Sequence, residues 1–157
     1  MPKRSAGLLL FRRRGGNVEV FLVHPGGPFW SKKDLGAWSI PKGEYAEGED
    51  PLEAALREFQ EETGTRAGGV PIPLRDIRQA GGKIVSAWAM EGDFEAARLR
   101  SNLFRMEWPP KSGETKQFPE IDKGEWFSID AARLKLLKSQ TGFLDQLVLT
   151  LAGGSEN

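Results

Sequence analysis

The sequence predicts an α/β or α+β domain in which a mixed β-sheet lies between helices. Three observations predict it. Short apolar runs bounded by Gly, Pro and Asn recur along most of the chain. A strongly capped amphipathic helix interrupts them just after Asp50. Helical patterns then close the chain beyond Asp130.

Taken in order, Leu8–Arg12 and Val18–Val23 read as two strands, with Gly15-Gly16-Asn17 as the hairpin turn between them. A loop rich in Gly, Pro and Trp follows from Pro25 to Ala37. Trp38-Ser39-Ile40 reads as a short strand stopped by Pro41. Asp50 is an N-cap, Pro51 suits the first helical position, and Glu53 completes a capping-box pattern. Leu52, Ala55, Leu56 and Phe59 then fall at i, i+3, i+4 and i+7, one core-facing stripe, and Gly64 is the stop. Strands are expected at Lys83–Met90, Leu103–Trp108 and Glu125–Ser128. Asp130 can cap a helix running to about Lys138, and Gly142 divides it from an amphipathic segment, Phe143–Leu151. No repeat, low-complexity tract or linker splits the chain, so residues 1–157 read as one domain.

Composition narrows the function. The 157 residues carry 22 basic and 22 acidic side chains, which argues against a nonspecific nucleic-acid binder, and no dedicated nucleic-acid surface is evident. The absence of cysteine removes disulfides, thiolate metal sites and a thiol nucleophile, and it fits a reducing cytoplasm. The apolar run Gly7–Phe11 is too short for a signal-peptide core or a membrane span. A soluble, unprocessed protein that binds no membrane is expected.

The helix after Asp50 is wrong for an ordinary surface helix. Its acids are Asp50, Glu53, Glu58, Glu61 and Glu62, and its only base is Arg57. Glu58, Glu61 and Glu62 share a face at spacings of three and four residues. Like charges so placed cost roughly 0.2–0.5 kcal/mol per pair. Glu61 and Glu62 also occupy the last turn, where the helix dipole disfavours anions. A divalent cation resolves the conflict, because hard ions such as magnesium take carboxylate oxygens and bridge to phosphates. The alternative is a solvated acidic face stabilised through Arg57 to Glu53 and Glu61.

The flanks decide between them. Gly43 to Thr65 resembles the Nudix box: Gly, five residues, Glu, seven residues, Arg-Glu, an apolar residue, any residue, Glu-Glu, any residue, Gly, then an aliphatic residue. Gly43, Glu49, Arg57, Glu58, Phe59, Glu61, Glu62 and Gly64 match. Thr65 departs from the final position, though a β-branched residue can still enter a strand. Trp38–Gly43 is similar to the segment preceding the box in MutT-like and diadenosine-tetraphosphate-hydrolase-like members. Phe118-Pro119-Glu120, then Trp126-Phe127 and a helix, is similar to the family's late acidic loop and closing strand and helix.

The resemblance implies a Nudix α/β/α sandwich and hydrolysis of a phosphoanhydride in a nucleoside triphosphate or dinucleoside polyphosphate. It implies magnesium or manganese as cofactor. Glu58, Glu61 and Glu62 would be metal ligands, joined by the Gly43 carbonyl. Glu49 would reach back toward the site, and Arg57 would orient a carboxylate. The general base stays open among Glu58, Glu61 and Glu120. Lys42 is a candidate phosphate contact, and Arg4 is a weaker one. His24, the only histidine, reads as structural. Trp30, Trp88 and Trp108 can each stack a base or serve the core. The loops 25–37 and 108–118 are expected to frame the base pocket. Alternatives are a Nudix-fold nucleotide-binding module without catalysis, which usually lacks box acids that this chain keeps, and an enzyme of ADP-ribose-type substrates. An isomerase on this fold would be expected to use a cysteine.

Overall fold

The computed structural model describes residues 3–154. Strands β1 (Arg4–Arg14) and β2 (Asn17–Pro25) both run longer than the sequence patterns suggest. They are joined through Gly15 and Gly16, whose φ values of 57° and 84° are those a two-residue hairpin turn requires. There follow β3 (Lys42–Glu44), α1 (Pro51–Thr63), β4 (Pro71–Pro73), β5 (Ile77–Arg78) and β6 (Ile84–Glu91). The chain closes with β7 (Leu103–Glu107), β8 (Thr115–Pro119), β9 (Ile121–Ser128), α2 (Ile129–Lys135) and α3 (Thr141–Gly154).

The main sheet runs β4-β6-β1-β2-β9 and is mixed: β1 and β6 are parallel, while β1–β2 and β2–β9 are antiparallel. Central β1 is buried on both faces from Ser5 to Phe11, which explains its continuous apolar run. Its alternate residues serve two cores. Ala6, Leu8 and Leu10 pack with Ala54, Ala55 and Phe59 of α1. Leu9 and Phe11 pack with Trp38, Ala132 of α2, and Phe143, Leu144 and Leu147 of α3. The result is an α/β/α sandwich. Among the described residues no helix is long and apolar enough to cross a membrane.

Along one edge, β1 exchanges partners. Residues 11–14 pair with β2, and Ser5–Gly7 pair with β3. Gly7 permits this, because a Cβ there would come within 2.6 Å of the Pro41 carbonyl oxygen. The splay between β2 and β3 opens the sheet at the end where the box lies. Beside it, β7 and β8 form a separate two-stranded hairpin.

Several elements differ from expectation. Trp38 and Ser39 make only isolated bridges, to Leu136 and Val23, and the ladder strand begins after Pro41 instead of ending at it. Pro41 donates no N–H, but its carbonyl accepts from Leu8, so it introduces β3. Ser128, not Asp130, caps α2 by accepting from the Ala131 N–H, and that helix stops at Lys135. Gly142 lies inside α3 instead of dividing two segments. Strand β8 falls within what reads as loop, because its Thr115–Gln117 stretch is polar and exposed. The α1 prediction is closest: Asp50 accepts from the Glu53 N–H at 3.0 Å, and Gly64 ends the helix at φ 81°. Its fully buried positions are Ala54, Ala55, Phe59, Glu62 and Thr63, whereas Leu52 and Leu56 are only partly covered.

Candidate active site

The acidic end of α1 packs against β3. Glu62 is 8% exposed, and its carboxylate accepts from the Lys42 backbone N–H at 2.9 Å. Glu58, with a side chain 13% exposed, lies over Gly43 so closely that a Cβ at Gly43 would fall inside the Glu58 carboxyl group. The glycine that opens the box is therefore the cradle of a carboxylate 15 residues away in sequence but adjacent in space. Glu61 is more open, at 38%.

Arg57 organises the cluster. Its guanidinium grips both Glu49 oxygens, at 3.1 and 3.2 Å, a bidentate pairing. The remaining nitrogen, Nη1, donates to Glu58 at 2.9 Å and Glu61 at 3.3 Å. Pairing with Glu53, which a merely solvated acidic face would use, is not among its contacts; Glu49 takes that place. The Arg57 pKa is raised, chiefly by the hydrogen bonds its guanidinium donates to Glu49.

Burial dominates the electrostatics. It pushes the Glu62 carboxyl well above its ordinary range, and Glu58 and Glu120 add repulsion against the Lys42 N–H bond. Glu58 is raised by burial, then by Glu61, against the pull of Arg57. Lys42 is lowered by burial and by Lys83, while Glu62, Glu44 and Glu58 oppose the shift. These are carboxylates gathered with too little positive charge around them.

Glu120 belongs to the same site although it is 58 residues beyond Glu62 in numbering. Main-chain bonds place it: Asn102 N–H donates to the Glu61 carbonyl at 3.2 Å, Glu120 N–H to Asn102 at 2.8 Å, and Gly26 N–H to Glu120 at 2.8 Å. The Glu120 carboxylate has no hydrogen-bond or ion-pair partner among the described residues. A pocket of about 270 Å³ has Lys42, Glu62 and Glu120 at its polar side and Val23, Trp30, Ile121 and Leu137 in its walls.

The other sequence candidates separate cleanly. His24 is 1% exposed; its ring nitrogens bond Asp122 at 2.8 Å and the Lys33 carbonyl at 2.6 Å, tying the 25–37 loop to β9. Arg4 is exposed and faces Asp76 at 4.0 Å. Trp88 packs on the α1-side core, and Trp108 meets Phe29 edge-on at 5.5 Å, which leaves Trp30 in the pocket wall. Thr65 enters no strand; it is exposed in a bend, its N–H bonded to the Thr63 hydroxyl at 3.2 Å. Sequence reading missed Phe104 and Met106, which line an adjoining pocket. The alternation Phe104, Arg105, Met106, Glu107 is the signal that could have found them.

Comparison with known proteins agrees with the fold. An RNA pyrophosphohydrolase of Rhizobium meliloti (strain 1021) is 36% identical over 98 residues, 57% of this chain and 57% of that protein. The asymmetrical bis(5'-nucleosyl)-tetraphosphatase of Sus scrofa is 36% identical over 78 residues, 46% of this chain and 49% of that protein. The matches thus span about half the length of each relative. A C. elegans Ap4A hydrolase, crystallised as a binary complex, superposes with a TM-score of 0.67 at 20% identity, covering 95% of this chain and 98% of its own. Residues 1–147 match the NUDIX domain, and the chain belongs to that family.

Proposed function

We propose that this protein is a divalent-metal-dependent pyrophosphohydrolase that cleaves a phosphoanhydride bond in a nucleoside triphosphate or dinucleoside polyphosphate. The observation that carries the reading is the packing of Glu58 over Gly43 and of Glu62 on the Lys42 N–H, with Arg57 joining Glu61 to Glu58 and with Glu120 lining the same pocket as Glu62. The names of the relatives, an RNA pyrophosphohydrolase and a tetraphosphatase, support anhydride chemistry.

The donor set suits magnesium or manganese. All its side chains are carboxylates, with buried Glu62 and half-buried Glu58 repelling each other, and hard cations take such oxygens. Among the described residues no three acidic or histidine side chains stand close enough to hold an ion as placed; the Arg57 Nη1 lies between Glu58 and Glu61 instead. Glu58, Glu61 and Glu62 would hold the metal, with the Gly43 carbonyl. When bound, magnesium supplies neutralisation of phosphate oxygens and acidifies water.

The chain's own residues do the rest. Lys42, which lines the pocket, presents a cation to the polyphosphate. Arg57, locked by Glu49, fixes the directions of Glu58 and Glu61. The Lys42 N–H fixes Glu62. Two carboxylates are equipped to take a proton from attacking water: Glu58, made more basic by burial, and Glu120, whose oxygens are uncommitted. Release of phosphate or pyrophosphate from ATP or diadenosine tetraphosphate, measured with and without magnesium or manganese, tests the reading. Metal-dependent release is expected. Tight nucleotide binding without turnover would make the chain a binding module.

A further inference from the structure

His24 is 1% exposed and takes no part in the scheme above. Strands β2 and β9 pair in register up to His24, which faces Lys123, but the next residue, Pro25, faces Ile121. Asp122 is therefore an extra residue, a β-bulge. In a regular ladder the neighbour of Lys123 would point to the face away from His24. The bulge instead turns the Asp122 carboxylate onto the His24 ring, 2.8 Å from Nδ1. Nε2 meets the Lys33 carbonyl at 2.6 Å.

The two partners belong to opposite sides of the pocket that holds Lys42 and Glu62. Asp122 lies two residues after Glu120. The same stretch is held by the Gly26 N–H on the Glu120 carbonyl at 2.8 Å and by the Ile121 N–H on the Ser101 hydroxyl at 2.9 Å. Gly26 is so close that a Cβ there would lie 1.9 Å from the Pro119 carbonyl oxygen. On the loop side, the Lys33 N–H donates to the Trp30 carbonyl at 2.9 Å, and the Lys33 ammonium lies 4.8 Å from the Trp30 ring centroid. Trp30 and Glu120 both line the pocket. One buried ring thus ties the loop wall to the strand end that carries the uncommitted carboxylate.

Both oxygens facing the ring are acceptors. A neutral imidazole has one N–H and would set a lone pair against one of them. In so buried a place that mismatch is costly, and donation from both nitrogens removes it. Asp122 of β9 is the charged group in contact with the ring. Beyond it stand Lys123, with its ammonium 5.5 Å from the Trp38 ring centroid, and Asp34, which accepts from Trp38 Nε1 and pairs with Lys135. Trp38 itself packs edge-on against His24 at 5.1 Å.

We propose that His24 is a positioning residue for the hydrolysis: as a double donor to Asp122 and to the Lys33 carbonyl, it sets Glu120 at a fixed place against the loop wall of the pocket. The proposal rests on the pyrophosphohydrolase reading for the part that Glu120 plays.

His24 is the only histidine, so in protein free of added histidines its nitrogen-labelled ring gives unambiguous magnetic-resonance signals. Two ring N–H protons are expected at neutral pH, and a single one overturns the double donor. Asp122→Ala cuts the tie at a side chain 30% exposed and leaves the buried ring in place, so the fold survives. With ATP and saturating magnesium it should lower kcat about tenfold and leave KM within about threefold of native. Asp122→Asn, whose amide can donate to a singly protonated ring, should recover kcat to within about threefold of native while one ring N–H signal disappears. Combination with Glu120→Gln separates positioning from general loosening. Acting through Glu120, Asp122→Ala should lower kcat less than about twofold in that background. An equal fall in both backgrounds, native kcat in Asp122→Ala, or native kcat in Glu120→Gln overturns the proposal and leaves the hydrolase reading intact. Absence of metal-dependent turnover in the native protein refutes that reading, and the proposal with it.

Discussion

Glu62→Gln removes a charge from the most buried carboxylate of the site and keeps its shape. Glu62 is 8% exposed, and a glutamine oxygen can still accept the Lys42 N–H, so the main-chain bond survives. What is lost is an anion that burial already disfavours. The sign follows from linkage: a carboxyl whose folded pKa is raised contributes stability below its unfolded pKa, and loses it as pH climbs through the folded value. Metal-free protein should therefore weaken as pH rises from the mid-4s, and Glu62→Gln should flatten that decline. At neutral pH, relief of the buried charge should be worth on the order of 1 kcal/mol. For a chain of this size that raises Tm by about 3 °C. Turnover should move the other way, with kcat falling at least about a hundredfold, near 2.7 kcal/mol of barrier. Scanning calorimetry across pH and initial rates at saturating magnesium measure both effects. A variant less stable than the native protein at neutral pH, or one with near-native kcat, would refute the reasoning.

Three further outcomes are expected. Gly43→Ala places a Cβ inside the Glu58 carboxyl, whose flexible side chain can swing away; kcat should drop at least tenfold for a stability loss under about 1 kcal/mol, measured by rates and thermal melts. Arg57→Lys keeps the charge but cannot hold Glu49 bidentately while donating to Glu58 and Glu61; kcat should fall about tenfold, and native rates would show that charge alone suffices. In a substrate panel at fixed magnesium, kcat/KM for nucleoside triphosphates or dinucleoside tetraphosphates should exceed that for ADP-ribose, and a tenfold advantage for ADP-ribose, about 1.4 kcal/mol, would reverse the ranking.

The sequence was most legible where local rules agree. Asp50, Pro51 and Gly64 bracket α1 because capping acts within a few residues, and the carboxylates stood out because Glu58, Glu61 and Glu62 violate helix electrostatics together. It was less legible where pairing is long-range. Strand β3 is only Lys42–Glu44, too short for periodicity, and exists because β1 accepts it beside Ser5–Gly7. The exposed β8 follows from its partner β7 instead of its own polar residues. Arg57 could be recognised as an organiser, but its partner Glu49 depended on how the chain enters the helix. Ser128 outcompeted Asp130 as the α2 cap because β9 runs through Ser128 and the helix begins at the next residue. The aromatic pocket needed the approach of β7 to the 25–37 loop, a meeting of segments about 75 residues apart that no local pattern encodes.

The most direct test is product formation from ATP and diadenosine tetraphosphate by purified protein, with chelator, with magnesium and with manganese, beside Glu58→Gln and Glu120→Gln. The account predicts negligible turnover in chelator, release of phosphate or pyrophosphate with either metal, and a loss of at least about a hundredfold in kcat in Glu58→Gln. Metal-independent turnover, or native rates in both variants, would contradict it.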